Sequence, residues 1–102
     1  MEWSNYLAIF FSGVFFANVV PHYVQGISGN KFPTPFAKPP GQGLSSPLVN
    51  VLWAGFNLLI GFILFKAGKI ESDNYLAWVT FFAGIMAISV PLSIRFATKH
   101  KE

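Results

Sequence analysis

The sequence contains no cysteine and few charged residues. Without cysteine the chain can form no disulfide, perform no thiol chemistry and hold no cysteine-ligated metal. Charged residues make up 11% of the 102 residues, whereas soluble proteins carry about 25%. Three tracts lack Asp, Glu, Lys and Arg altogether, namely 3–30, 39–65 and 74–94. A soluble domain of this size has too much surface for such tracts, so the composition indicates an integral protein of the lipid bilayer.

The sequence also lacks the residue groupings of an enzyme. Its four acidic residues stand at the chain ends or in one short polar turn, and none is paired for acid–base chemistry in a dry pocket. No serine has an identifiable base apart from a speculative pairing with His22. We therefore expect no catalytic residue, no metal and no cofactor. The net charge of +3 lies at helix ends and in loops, which favours a role in membrane orientation over nucleic-acid binding.

Each uncharged tract can supply one bilayer-spanning helix, which needs about 20 mostly apolar residues. Pro21 disfavours helix at Val20, so the first helix is expected to end or kink there. The second begins with Ser46 as its N-cap and Pro47 at the first helical position. The fold is thus predicted to be all-α, a single membrane domain at 1–102 with three transmembrane helices. The predicted spans are about 4–21, about 47–65 and about 75–96, followed by a basic tail at 97–102.

The connection at 25–46 is rich in proline and glycine. Connections longer than about 12–15 residues without regular structure are usually functional or disordered, and the phenylalanines and prolines here argue against disorder. We expect a stiff segment over the mouth of the helix bundle or in the headgroup region; a disordered tether and a proline-motif ligand are alternatives. Its end leads into a helix N-terminus, where a lipid phosphate or small anion could bind, although a flexible approach to a capped helix is the simpler interpretation. The candidate anion contacts are Lys38, Gly41, Gly43, Ser45 and Ser46.

Basic residues predict the orientation. Three spans place the termini on opposite sides of the membrane, and basic residues concentrate on the side of the loop and tail. That side has Lys31, Lys38, Arg95, Lys99 and Lys101, against Lys66 and Lys69 in the other turn. We therefore expect the loop at 25–46 and the C-terminus to be cytoplasmic and the N-terminus to be outside, in a bacterial inner (cytoplasmic) membrane.

Polar and small residues form stripes within the apolar tracts. On the second span, four of them recur at i, i+4, i+7 and i+11, a spacing that puts them on one helical face. Small residues allow membrane helices to approach closely, and asparagine can bond across the interface. The residues of the second-span stripe are Asn50, Ala54, Asn57 and Gly61. The predicted helix-packing residues are Ala54, Gly61, Gly84 and Ala87. For Asn50 and Asn57 a ligand-facing or pathway role is the alternative to packing.

His22 is the ionisable side chain that the spans place at the loop end of the first helix, and Asn18 shares its face. A histidine there can relay protons, sense pH or ligate a cofactor together with a partner. The simpler interpretation is an interfacial histidine bonded to a loop carbonyl or a lipid headgroup. Candidate ligand or pathway residues are Asn18, His22, Asn50 and Asn57.

Three functions compete on this basis. Three helices cannot bury all 12 phenylalanines together with the polar stripes, so we expect a homo-oligomer or a larger membrane complex. The first hypothesis is a structural or accessory subunit of a membrane assembly that packs through its Asn and small-residue stripes. The second is a homo-oligomeric transporter or channel with an Asn/His-lined pathway capped by the loop. The third is a membrane-permeabilising protein, because the layout of three spans and a basic tail is similar to that of some phage holins.

Overall fold

The structure, a computed structural model, describes residues 1–40 and 43–97. The described chain forms three α-helices. They are α1 (Trp3–Ile27), α2 (Pro47–Gly68) and α3 (Tyr75–Phe96). Each is long and apolar enough to span a membrane, which confirms the predicted all-α class with three such helices. Apart from Ala97, the residues of the predicted basic tail lie outside the described part of the chain.

The first helix does not end at about residue 21 as predicted, because α1 continues to Ile27 with Pro21 inside it; the predicted alternative, a kink at Pro21, stays a prediction. Proline costs a helix one N–H donor and disfavours the residue before it, but contacts with α2 hold the extra turns in place. Gly26 is buried so close to α2 that a Cβ on it would lie 2.6 Å from Cγ2 of Val51. Tertiary packing therefore outweighs the local preference, and α1 carries its polar residues further toward the connecting segment than its sequence indicates.

Capping residues account for the ends of α2 and α3. Ser46 Oγ accepts a hydrogen bond from the amide three residues on at 3.1 Å, and Asn74 Oδ1 does the same at 3.2 Å. Both are N-caps of the preferred kind. α2 ends at Gly68 rather than at about residue 65. The next residue, Lys69, adopts a left-handed conformation with φ 52°, which is a common way to terminate a helix. α3 has the predicted bounds.

The central helix of the bundle is α1, which packs against both α2 and α3. Within the described residues, α2 and α3 do not approach each other within 8 Å between Cα atoms. Aromatic rings bridge them near the short turn that joins them. The Phe65 ring lies 6.1 Å from Trp78 and 5.5 Å from Phe81, measured between centroids.

The segment between α1 and α2 occupies the opposite end of the bundle. Phe32 lies against α3, with its ring centroid 4.8 Å from that of Phe96, and Phe36 lies 5.2 Å from Trp53 of α2. An antiparallel bridge closes the segment on itself: Phe32 N donates to Ser45 O at 3.2 Å and Ser45 N donates to Phe32 O at 2.9 Å. The described part of the segment thus touches both α2 and α3.

Three of the four predicted packing residues lie inside the chain. Ala54, Gly61 and Gly84 are buried. A Cβ on Gly61 would lie 2.9 Å from the ring of Phe16 on α1, so close approach needs glycine there. Ala87, by contrast, is exposed on α3. α3 turns Ala77 and Gly84 toward the inside of the bundle, and in this orientation Ala87 lies on the outside.

Candidate functional site

Polar side chains meet at the loop end of the bundle. His22 of α1 and Asn50 of α2, with 4% and 0% of their surface exposed, are joined by a hydrogen bond of 2.8 Å between His22 Nδ1 and Asn50 Oδ1. The histidine is therefore bonded to an asparagine side chain, whereas the sequence suggested a loop carbonyl or a lipid headgroup. Two candidate residues from different helices form one buried pair.

The partners of Asn50 determine which nitrogen of His22 carries the proton. The amide nitrogen of Asn50 faces three carbonyl oxygens, at 3.0 Å from Phe32, 3.3 Å from Ser45 and 3.0 Å from Ser46. Because an amide nitrogen only donates, Oδ1 is the atom that faces the histidine, and His22 donates from Nδ1. In the neutral ring, Nε2 is then an acceptor. Asn50 thereby links His22 of α1 to both residues of the antiparallel bridge, Phe32 and Ser45.

A second polar contact fixes the segment from within. The hydroxyl groups of Thr34 and Ser45 lie 2.5 Å apart and share a hydrogen bond, and the amide of Phe36 donates to Thr34 Oγ1 at 3.1 Å. Both hydroxyls are buried. A buried hydroxyl without a partner is costly, so these bonds favour one conformation of the proline-rich segment against the helices.

Asn18 and Asn57 form the next contact between α1 and α2, closer to the middle of the helices. Asn18 Nδ2 donates to Asn57 Oδ1 at 3.1 Å, while Asn57 Nδ2 donates to the carbonyl of Trp53 at 2.7 Å. Further along the same interface, Ser12 Oγ donates to Gly61 O at 2.8 Å. The α1–α2 interface is thus held by a ladder of polar contacts along its length.

The Asn18–Asn57 bond is expected to contribute a measurable coupling energy. A double-mutant cycle of Asn18→Leu and Asn57→Leu should give about 0.6 kcal/mol and at most about 1.7, the range for such bonds in membrane proteins. Unfolding by SDS in mixed micelles measures it. Asn18→Leu paired with Asn5→Leu is the control, because Asn5 bonds Ala67 O at the far end of α1 and distant sites add. Equal coupling in both cycles would contradict the contact.

A small cavity lies beside the His22–Asn50 pair, with a volume of about 160 Å³. It is bounded by all three helices and the connecting segment. Its polar lining residues are Asn18, His22, Thr34, Trp53 and Arg95, and its apolar ones are Pro33, Pro35, Leu92 and Phe96. The indole Nε1 of Trp53 is buried and has no hydrogen-bond partner among the described residues. Asn18 and His22 thus line a cavity, whereas Asn50 and Asn57 lie behind them.

The residues predicted to contact an anion at the start of α2 make the following contacts within the chain, and the anion site itself stays a prediction. Ser46 caps the helix, and Ser45 is turned inward to Thr34. Gly43 packs on the backbone of Lys38, its amide donating to Pro39 O at 2.9 Å. Gly41 lies outside the described residues. Ser45 and Gly43 thus make contacts within the segment, and Ser46 makes one at the start of α2.

Sequence reasoning missed Thr34, Trp53 and Arg95 as lining residues. Trp53 had a signal in the sequence, since it lies three residues after Asn50 and four before Asn57, on the same side of α2. Thr34 stands between two prolines, where the sequence alone predicts no particular partner. In residues 1–40 and 43–97 no three His, Asp or Glu side chains gather as a metal site would require.

Comparison of the chain with protein-family models, with curated protein sequences and with solved structures gave no match.

Proposed function

We propose that this small multi-pass membrane protein is a structural or accessory subunit of a larger membrane assembly. The observation that carries the proposal is the position of Ala87. This residue is exposed on α3, and Ala83 and Pro91, one turn before and after it, are exposed with it. Small residues in line on a membrane helix allow a second helix to approach closely. The described residues of their own chain leave these three exposed.

The burial of α3 supports the same proposal. Only 11% of its most apolar stretch is buried inside the chain, against 22% for α1 and for α2. Among the described helices, its backbone comes within 8 Å only of α1, measured between Cα atoms. A helix held on one side, with a row of small residues on its outer side, has a surface to which a partner helix fits.

The partner surface that we propose differs from the one that the sequence indicated. Asn50, Ala54, Asn57 and Gly61 are all buried within the chain, so these stripes join α1 to α2. We assign contact with another subunit to the outer side of α3. The exposed large apolar residues next to the stripe, such as Val90 and Ile94, would flank that contact.

The channel hypothesis has less support from the geometry. A pathway between copies of the chain would need its polar residues on the outer surface. Asn50 and Asn57 have 0% and 1% of their surface exposed, and their amides are bonded within the chain. No observation in the described residues favours the membrane-permeabilising role.

Charge placement supports the proposed orientation in a bacterial inner membrane. The end of the bundle that carries the connecting segment has the basic residues Lys31, Lys38 and Arg95. The other end has Lys66 and Lys69, but acidic residues in the following turn accompany them. A cytoplasmic segment and C-terminus agree with the preference for basic residues on that side.

The proposal is tested by enlarging Ala87. In membranes of the native host, solubilised in a mild non-ionic detergent, the wild-type protein should migrate well above the mass of one 11.3 kDa chain in its micelle. Ala87→Trp should reduce the assembled fraction severalfold, because a large ring blocks close helix approach. Native electrophoresis with mass spectrometry of the bands measures both the size and the partner.

Met86→Trp is the matched control. Met86 is also exposed on α3, but it lies about 100° around the helix from Ala87, away from the row of small residues. It should leave the assembly intact. A wild-type protein that migrates as a single chain, or two variants that behave alike, would refute the proposed subunit role.

A further inference from the structure

The cavity at the loop end is lined by a histidine whose second ring nitrogen has no donor. His22 donates from Nδ1 to Asn50, so Nε2 of the neutral ring is an acceptor, and no described residue donates to it. Among the described residues that are not exposed, the one unpartnered side-chain nitrogen or oxygen closed to a water-sized molecule is Trp53 Nε1. Nε2 of His22 is therefore open. Because His22 is 96% buried and lines the cavity, we place that opening there.

Asn18 supplies a second acceptor, one turn earlier on the same face of α1. Asn57 Nδ2 donates to the carbonyl of Trp53, so Asn57 Oδ1 faces Asn18 and accepts from its Nδ2. Asn18 Oδ1 then has no donor among the described residues. Side chains four residues apart on a helix are neighbours, about 5–6 Å apart between Cβ atoms. Since Asn18 and His22 line the same cavity, one molecule can bridge their two acceptors.

Thr34 supplies a donor from the connecting segment. Its hydroxyl group and that of Ser45 share one hydrogen bond, which uses one of their two hydrogens, and the described residues offer the other no acceptor. Thr34 Oγ1 also accepts from the amide of Phe36. Thr34 lines the cavity, whereas Ser45 is not part of its described lining. With Ser45 as the donor to Thr34, the hydrogen of Thr34 is directed to whatever occupies the cavity.

This combination of groups selects a neutral ligand that both donates and accepts. Two acceptors disfavour an anion, and a cation would be buried without a counter-charge, because the described lining has no acidic side chain. A metal ion would need further ligands, and in residues 1–40 and 43–97 no three His, Asp or Glu side chains gather. The group that donates and accepts through one atom is a hydroxyl.

We infer that the cavity binds a hydroxylic ligand, which donates to His22 Nε2 and Asn18 Oδ1 and accepts from the Thr34 hydroxyl. A water molecule has the two hydrogens that this requires, and buried waters make about three such bonds. The polyol headgroup of a lipid has the same chemistry and can reach a cavity at the end of the helices. The volume of about 160 Å³ holds roughly five waters, or one small polyol group.

The ring nitrogen of His22 reports the ligand directly. His100→Gln leaves His22 as the single histidine of the chain. In this background, NMR of the isotope-labelled protein records the Nε2 resonance and the Overhauser effect between the ring protons and water. Lauryldimethylamine oxide micelles are used because this detergent has no hydroxyl group. We expect Nε2 to be shifted upfield from its position in an imidazole dissolved in an aprotic solvent, together with a water Overhauser effect.

A lipid arm distinguishes the two sources of hydroxyl groups. Phosphatidylglycerol is added to the same micelles, and phosphatidic acid with the same acyl chains is its control, because it lacks the glycerol headgroup. A bound polyol should give Overhauser effects between the headgroup protons and the ring of His22.

Two pairs of variants test the residues that hold the ligand. Asn18→Leu and Asn57→Leu both remove the bond between these asparagines, but only Asn18→Leu removes an acceptor from the cavity. Thr34→Val and Ser45→Ala both remove the bond between the hydroxyls, but only Thr34→Val removes the donor to the ligand. The first member of each pair should weaken the Overhauser effect severalfold, because it removes one of three bonds. The second should leave it unchanged.

Each outcome decides the inference. The water signal in pure micelles, weakened as described, supports a bound water, and a signal that requires phosphatidylglycerol, with the same dependence on the variants, supports a lipid headgroup. An Nε2 resonance at the non-bonded position under both conditions, or equal signals within each pair, overturns it. Should circular dichroism show Thr34→Val to be unfolded, the comparison of Asn18→Leu with Asn57→Leu still decides. The site shares no residue with the row of small residues on α3, so its failure leaves the proposed subunit role standing.

Discussion

Asn50→Leu is expected to lower the free energy of unfolding by about 2–3 kcal/mol and to loosen the segment between α1 and α2. The substitution leaves the buried Nδ1–H of His22 without its acceptor, and an unsatisfied buried donor costs about 1–3 kcal/mol. It also removes the bonds from Asn50 to the carbonyls of Phe32 and Ser45. Those carbonyls keep each other's amides as partners, so the bridge weakens without losing all its bonds.

The double variant Asn50→Leu/His22→Phe separates the lost bond from the stranded donor. It leaves no unpaired N–H at this position, and it should therefore be less destabilised than the sum of the two single variants. Hydrogen exchange at the amides of Phe32 and Ser45 should accelerate in Asn50→Leu. It should stay unchanged in Asn57→Leu, which alters the same helix without touching the segment. Additive single variants, with unchanged exchange, would show that Asn50 does not anchor the segment.

The helices themselves could be predicted from the sequence wherever a local signal decides the boundary. Ser46 before a proline, and Asn74 after an acidic turn, are capping signals that act within one turn, and α2 and α3 begin where these residues predict. Pro21 is also a local signal, yet α1 continues past it. There Gly26 contacts Val51, which belongs to a helix distant in sequence. A preference that depends on neighbouring residues alone cannot predict such a contact.

The candidate site could be predicted in part for a geometric reason. Asn18 and His22 follow one face of α1 toward the segment, and Asn57 and Asn50 follow one face of α2 toward the same segment. In two antiparallel helices, this order alone pairs 18 with 57 and 22 with 50, as the hydrogen bonds show. The cavity could not be predicted, because it depends on the distance between α2 and α3, which the spacing of residues along each helix does not give.

The rotation of α3 about its own axis is the other quantity that the spacing of its small residues does not determine. Gly84 and Ala87 lie three residues apart, so one helical stripe can hold both. In the structure the buried face turns so that Gly84 meets α1 and Ala87 does not. A helix that packs on one neighbour buries a narrow stripe, and the sequence of a single chain does not say where its edge falls. Gly84 lies inside this stripe and stabilises the fold, whereas Ala87 lies outside it and is the residue that we assign to contact with a partner.

Gly84→Ala is expected to destabilise the protein by about 1–3 kcal/mol, the usual cost of overpacking a tight contact. A Cβ on Gly84 would overlap the backbone carbonyl of Phe10 on α1, and one on Gly13 of α1 would overlap the carbonyl of Phe81 on α3. The two glycines thus form a reciprocal contact in which each faces the other helix's backbone. Backbone cannot move aside as a flexible side chain can, so α3 must shift away from α1.

Gly55→Ala is the control that reverses the sign. Gly55 lies on α2 with nothing within 4 Å of an added Cβ, so alanine should stabilise the helix there by about 0.5–1 kcal/mol. Unfolding by SDS in mixed micelles measures both variants. The pair Gly13→Ala/Gly84→Ala should cost less than the sum of its parts, because a helix already displaced by one methyl group makes room for the other. If Gly84→Ala were as harmless as Gly55→Ala, α1 and α3 would not meet at these glycines, and the outer side that we assign to Ala87 would face elsewhere.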